Sequence, residues 1–572
     1  SGGVGICMRR FLMTLAIVMM IGLLCAQRSQ EVIPLSSSVY EDMEVLYLAT
    51  GNGTPSNAQP WTKGEASLIL SRIDASDLSA PLDALHRSIS QEIESGLRFI
   101  FSDGFQFDTS METNFEFYWH DNTVDYDKDT EWVRGFEDRK PLVKLNLAFS
   151  LEDYLYIFTD LQYGRNRFTD RDKPFMTVGG SSGKIVGSII ESGDSAEIVD
   201  HSWAYSQRFL TNIMWPTYDI DFQTPKRAIA SVGGRRWNFN LSRDKVKWGN
   251  GHSGNFIIDD HVDYQEFARF NAFSDHFKYE WLNVFFETNP SVGEGSSADE
   301  EFRMLMAHRL EFRILDIITF ALSENIMYQH DLFSARYLNP AFIYHNLNSR
   351  QMFNAIAHAE LDIAFAKGFN AYAQYVLDQA VAPNETASQA DATGWLAGVE
   401  HAITIGNGIL SSSIEYAQTS PALYRREYVD FLMFRRYHGN GTSFISHIDY
   451  IGYQYGGDAQ VVQLDLAYRI PAVARFALRL FGMRHGEVDW FTTNTAVNDI
   501  RVPSPSGNAY RETGLISMMA ELTVPERYFP WADVAVYGQL DLIGKRTYDK
   551  VTDTHKDHSG DVQLTVGMSF VL

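Results

Sequence analysis

From about Leu97 to the last residue, apolar side chains mostly recur at every second position, a period that constrains the fold more tightly than any motif in the chain. Val143, Leu145, Leu147 and Phe149 alternate with Lys144, Asn146, Ala148 and Ser150; Val462, Leu464, Leu466 and Tyr468 alternate with Gln463, Asp465 and Ala467. Ile516, Met518, Ala520, Leu522 and Val524 stand against Ser517, Met519, Glu521 and Thr523, and Val534, Val536, Leu540 and Leu542 against Tyr537, Gln539 and Asp541. A period of two gives a strand one apolar and one wet face. Mixed stretches such as 300 to 366 interrupt it.

A soluble sandwich also alternates, so the pattern needs a second discriminator. Within a bilayer every backbone N–H and C=O must be satisfied without water, and a closed sheet is the only β solution. Such barrels have strands of about ten residues, short turns on one side, long polar loops on the other, and aromatic girdles. Here polar or glycine-rich insertions run from 121 to 131, 169 to 194, 289 to 301, 383 to 393 and 547 to 560, and 13% of the residues are aromatic. At roughly 25 residues per strand and loop, 97 to 572 holds about 16 to 20 strands. The final residues, with Thr565, Gly567, Phe570 and Leu572 at alternating or near-alternating places, are similar to the closing signal that outer-membrane barrels present to their assembly machinery.

The N-terminal part reads differently. Met8-Arg9-Arg10, an apolar run from Phe11 to Leu24 and then Cys25-Ala26-Gln27 have the order of a secretory signal peptide, expected over 1 to 26. Residues 27 to 96 are expected to form a small helical domain. Ser38 with Glu41 and Thr62 with Glu65 are capping boxes, and Ser79 precedes Pro81 and the stripe Leu82, Leu85, Ile89 and Ile93. Helices this short need a partner surface. A signal cleaved at that point leaves no thiol in the mature chain unless Cys25 is kept as a lipid anchor, and so no disulfide framework or thiolate site. The formal net charge of -24 argues against a nucleic-acid partner.

No catalytic constellation or cofactor motif emerges. Gly179-Gly180-Ser181-Ser182-Gly183 matches a hydrolase elbow, but no helical stripe follows, so a loop is expected. Asp125, Asp127, Asp129 and Glu131 lack the glycine and distal glutamate of a calcium loop, and the sixteen histidines form no H-E-x-x-H pattern. No metal site is therefore expected. The best ligand surface is Trp248 to His261, where Trp248 offers a flat face for a sugar ring. Asn250, His252, Asn255, Asp259 and Asp260 supply polar groups, and the glycines permit close approach.

Four segments carry a family resemblance: Ile33 to Gly51 with Gln59-Pro60-Trp61-Thr62; Trp248 to Ile258; Glu324 through Tyr328 to Pro340; and Ile451 to Ala459. Together they resemble the Wzi family of outer-membrane capsule-assembly proteins, with Tyr453 where that family often has His and Gly457 where it often has Pro. The resemblance implies a mainly-β, eighteen-stranded antiparallel outer-membrane β-barrel with a small helical bundle at its periplasmic mouth. It also implies a non-enzymatic lectin for exported surface polysaccharide, in contact with outer-membrane lipid and lipopolysaccharide-like lipids. The alternation alone equally suits a diffusion channel.

Overall fold

The computed structural model describes residues 29–572 apart from 95–98, 101–103, 128–130, 136–137, 165–175, 179–187, 193–194, 200–205, 214–224, 287–301, 331–338, 340, 342, 345–352, 380–389, 426–428, 439–443, 489–491, 493–496 and 498. The expected signal peptide and the Gly179-to-Gly183 motif lie outside the described residues.

Eighteen antiparallel strands close into a barrel: β1 (Phe105–His120), β2 (Val143–Leu151), β3 (Leu155–Tyr163), β4 (Ala228–Gly234), β5 (Trp237–Asp244), β6 (Gln265–Phe273), β7 (Phe277–Phe286), β8 (Phe302–Ile314), β9 (Ile318–His330), β10 (Phe353–Ala366), β11 (Phe369–Gln379), β12 (Ala392–Ile405), β13 (Gly408–Thr419), β14 (Ala459–Ile470), β15 (Ala474–His485), β16 (Ala509–Val524), β17 (Asp533–Asp549) and β18 (Thr554–Val571). Each pairs with its sequence neighbour, and β18 returns to β1 in the register Gln563↔His120 to Val571↔Glu112. Closure leaves no sheet edge, which is what a bilayer demands. Leu572 completes the seam by exchanging backbone hydrogen bonds of 2.8 and 3.1 Å with Met111.

The two faces separate as the period requires. Leu161, Leu241, Leu361, Ile414, Phe476, Leu480, Ile516, Leu542 and Val566 stand exposed on the outer wall, whereas Asp160, Asn240, Glu360, Glu415, Asp541 and Thr565 are buried in the lumen. An apolar belt around a closed sheet makes this an outer-membrane barrel.

Residues 300 to 366 lose the alternation because both faces of β8 and β9 are covered at one end. Leu305 and Ala307 join the luminal core, while Met304, Met306, Ile326 and Tyr328 pack with Tyr344 and Phe353. Tyr344 also stacks on His308, accepts a 3.1 Å hydrogen bond from Trp281 Nε1, and donates its backbone N–H to Glu324.

Three helices pack at the short-turn end: α1 (Val39–Thr50), α2 (Lys63–Leu70) and α3 (Ala80–Glu94). The stripe Leu82, Leu85, Ile89 and Ile93 is buried as its spacing implies, against Met43, Leu46 and Tyr47 of α1 and Ala66 and Ile69 of α2. Ala402 and Ile409, beside the β12–β13 turn, join this cluster and so dock the helices on the barrel. Each fully buried side chain of this size contributes about 1.5–3 kcal/mol. Only one expected capping box keeps its hydroxyl cap. Thr62 Oγ1 accepts from the Glu65 N–H at 3.2 Å, but the Glu65 carboxylate accepts from Lys278 on the barrel wall instead of closing the box. Ser38 has helical backbone angles and caps nothing, its hydroxyl donating to Asp42 at 2.9 Å.

The insertion expected as loop over 169 to 194 contains strand. Met176–Val178, Ser188–Ser192 and Ser195–Val199 form a five-stranded sheet with Leu432–His438 and Phe444–Tyr450, outside the barrel sheet. Ile189, Ile190 and Ile198 supply the β-branched residues that such strands favour.

Candidate functional site

After β5 the chain turns into the barrel. Lys247–Trp248 pairs with Ala58–Gln59, and the glycine-rich segment then crosses the lumen, Trp248 donating its N–H to Ile258 O and Asp259 its N–H to Ile451 O. Phe256, Ile257 and Ile258 are completely buried and form a luminal core with Leu282, Val284, Leu305, Val376, Leu396 and Tyr453. Gly254 has φ +134°, and a Cβ there would meet the Tyr453 ring at 3.1 Å, so the glycine admits the tyrosine that seals this layer.

The ligand face expected on Trp248 is absent. Its side chain is fully buried, with Nε1 donating 2.6 Å to Glu280 Oε1, so neither ring face is open to a sugar. Three more of the expected ligand groups are engaged within the chain. Asn250 donates to Asp362; Asn255 Oδ1 accepts from Gly251 N at 2.9 Å and Gln374 Nε2 at 2.7 Å; Asn255 Nδ2 in turn donates 2.8 Å to Asp259 Oδ1. Asp259 also faces His261, whose Nδ1 lies 3.8 Å away and whose Nε2 lies 3.7 Å from Asp449 of the Phe444–Tyr450 strand. Burial opposes charge on His261, but these two carboxylates hold its pKa up to about 10. The ion pair therefore ties the glycine-rich segment to that strand.

His252 and Asp260 do reach a cavity of about 560 Å³ between α1 and the in-folded chain. Its other polar walls include Glu41 and Glu44 of α1, Glu400 of β12, Ser411 and Ser413 of β13, Asp465 of β14 and Arg475 and Arg479 of β15. Arg479 Nε donates 2.7 Å to Asp465, and His252 Nδ1 lies 3.8 Å from the same carboxylate. The sequence reading did not reach Glu44, Glu400, Asp465 or Arg479. Each sits in a polar slot that the period of two, or the turn of a helix, explains by itself, and no spacing links them.

Glu44, His252 and Glu400 form the one group among the described residues whose ligand atoms all lie within 4.8 Å, as a cation would need. His252 Nε2 is 2.8 Å from Glu400 Oε1. Burial and then the Glu400 carboxylate push Glu44 up to about 8. Burial works against protonated His252, while its hydrogen bond to Glu400 and the nearby carboxylates hold it up to about 9. The N/O donor set of this cluster suits a divalent metal. The sequence expectation rested on helical zinc spacing, which could not detect ligands 148 residues apart.

Two further contacts fix α1 across the short-turn end. Arg469 Nη1 lies 2.7 Å from Asp42, and Arg475 Nη2 donates 2.8 Å to Glu41. At Asp125 to Glu131, Glu131 is taken by Lys545 at 3.1 Å and Asp125 by Asn122 at 2.9 Å, while Asp129 lies outside the described residues. On β18, Thr565 is buried in the lumen, and Phe570 stacks with Trp531 at 6.4 Å. A Cβ on Gly567 would fall 2.3 Å from Tyr537 Cζ, so this glycine forms the slot for that ring.

No protein-family model matches the chain, and no curated protein matches it. Among solved structures it is similar to Wzi of Escherichia coli, described as an outer membrane protein involved in group 1 capsule assembly and a carbohydrate-binding β-barrel. The TM-score is 0.54 at 11% identity, covering 94% of this chain and 99% of that one. OpdQ and OprD of Pseudomonas aeruginosa align with TM-scores of 0.37 and 0.35, at 9% and 7% identity. They cover 82% and 84% of this chain and 98% and 97% of theirs. At 11% identity the likeness to Wzi is one of fold.

Proposed function

We propose that this barrel holds exported surface polysaccharide by non-covalent contacts and conducts nothing. One observation carries the reading: the lumen is occupied from both ends by the chain's own segments, α1 at the short turns and the Phe256-to-Ile258 crossing from the opposite side. What remains is a polar cavity of about 560 Å³, within the size range of small-ligand sites. Asp260, His252, Asp465 and Arg479, with the Ser411 and Ser413 hydroxyls, offer the donors and acceptors that sugar hydroxyls need. The carbohydrate binding described for Wzi, on the same fold, supports the same reading. A long polymer repeats its unit, so weak contacts at each copy of the protein add through effective concentration.

A diffusion channel would use the same belt but needs an open lumen, which these fillings disfavour. Titration calorimetry of the detergent-solubilised protein with polysaccharide purified from its own cells tests the proposal. Binding heat is expected, weakened about tenfold in D465N/R479Q, since charged hydrogen bonds contribute about 1.5–3 kcal/mol. Absence of any heat, together with unchanged polysaccharide retention in cells lacking the gene, would reject it.

A further inference from the structure

The outer wall carries a second, unrelated feature. Gly482 of β15 pairs with Gly514 of β16, Gly514 with Gly544 of β17, and Gly544 with Gly560 of β18. All four lie on the lipid-facing parity of their strands, in line with exposed Leu480, Ile516, Leu542 and Leu564, whereas Arg479, Ser517 and Gln539 on the other parity line the luminal cavity. A Cβ on Gly514 would meet nothing within 4 Å. Strands lie about 4.8 Å apart, so the four glycines floor a trough about 14 Å long. The space there is about 580 Å³, bounded at one end by Tyr416 and Val462.

The trough has one apolar and one charged bank. On the short-turn side the paired row Leu480, Ile516 and Leu542 belongs to the lipid belt. Towards the long loops, Glu512 receives Arg484 Nε at 3.1 Å on one carboxylate oxygen and Arg546 Nε at 2.6 Å on the other. His555 Nε2 lies 3.3 Å from the same carboxylate. One largely covered anion thus orients two half-exposed guanidinium groups, whose terminal nitrogens have no hydrogen-bond partner among the described residues. Two arginines around one carboxylate leave a net positive charge, with four NH2 groups presented at the level where acyl chains give way to headgroups. Tyr510 and Tyr548, whose ring centroids are 5.1 Å apart, stand at the level beyond as an interfacial aromatic pair.

We infer that this groove binds a phosphate-bearing, multiply acylated lipid of the leaflet on the long-loop side, with an acyl chain in the glycine trough and a phosphate between Arg484 and Arg546. Long loops face outward in such barrels, so the leaflet is the outer one. Guanidinium pairs match phosphate oxygens in geometry and charge. An acyl chain fits where glycines remove the side chains that would otherwise fill the wall.

The test uses the full chain, purified in detergent and stripped of lipid, with retained lipid measured by native mass spectrometry. The probe is lipid A, a bis-phosphorylated acylated glucosamine disaccharide, compared with its dephosphorylated form and with inorganic phosphate. R484Q/R546Q is expected to weaken lipid A binding about tenfold or more without affecting the dephosphorylated lipid. G514L, which points into open space, is expected to weaken both lipids. Excess inorganic phosphate should not displace lipid A. Lipid A binding within roughly twofold of wild type in both variants, or displacement by phosphate alone, overturns the inference. Heat-modifiable gel migration verifies that both variants are folded barrels, and polysaccharide binding measured in parallel separates this site from the luminal one.

Discussion

Lys278 on β7 is the point where the helical segment is pinned to the barrel wall. Its ammonium donates 2.7 Å to Ala58 O, 2.6 Å to Glu65 Oε1 and 3.3 Å to Ser56 Oγ, and lies 3.6 Å from Glu280. Substituting Lys278→Met leaves Glu65, 1% exposed, without its cation. Removing one member of a buried pair costs about 3–5 kcal/mol, because the remaining charge stays desolvated. Arg269 is close enough to compensate part of that, which favours the lower end. Since the lost bonds join residues 56 to 65 to the wall, the cost falls on docking of the helices, and about 3 kcal/mol is a hundredfold or more in that equilibrium. Hydrogen–deuterium exchange of peptides spanning 39–70 is expected to accelerate by about that factor, with β16 to β18 unchanged. K278M/E65L should restore most of the protection, because an apolar pair often replaces a buried ion pair at little cost. Exchange in K278M within about threefold of wild type, or no recovery in the double variant, would show that Lys278 does not pin the helices to the wall.

Three further outcomes follow from the same geometry. His261 binds its proton more tightly in the folded state, so its stabilising contribution is complete below pH 6.5 and is lost as pH rises through about 10. The thermal midpoint in detergent should fall across that window, and fall less in H261Q. Gly567→Ala would displace Tyr537, whose hydroxyl donates 2.6 Å to Glu116, and overpacking of this kind costs about 1–3 kcal/mol. An unchanged midpoint in G567A would contradict the slot. Leu85→Ala empties a fully buried position between α1 and α3, and should lower the midpoint by an amount corresponding to about 2–5 kcal/mol, read by the same melt.

The barrel was legible because lipid imposes one rule on every spanning strand, and sequences such as 516 to 524 follow it with a single exception, Met519. Where a second surface covers the wall, as Tyr344 covers β8 and β9, both faces become apolar and the period disappears. The stripe on α3 was equally readable, since its four apolar residues meet one core. The ligand surface was not. A glycine-rich run with a tryptophan reads alike whether it faces solvent or folds into a lumen, and the burial of Trp248 depends on Glu280, 32 residues away. His252 and Asp260 are polar residues near glycines, and they reach the cavity because the crossing segment turns them there. The Glu44, His252 and Glu400 cluster has no local signature at all, because helix, loop and strand each supply one group.

The proposed holding role requires a barrel sealed by its own chain. Single-channel recording of the wild-type protein in a planar lipid bilayer tests it most directly. A silent membrane is expected, because α1 and the Phe256-to-Ile258 crossing both fill the lumen. Steady porin-sized steps from the intact protein would contradict it.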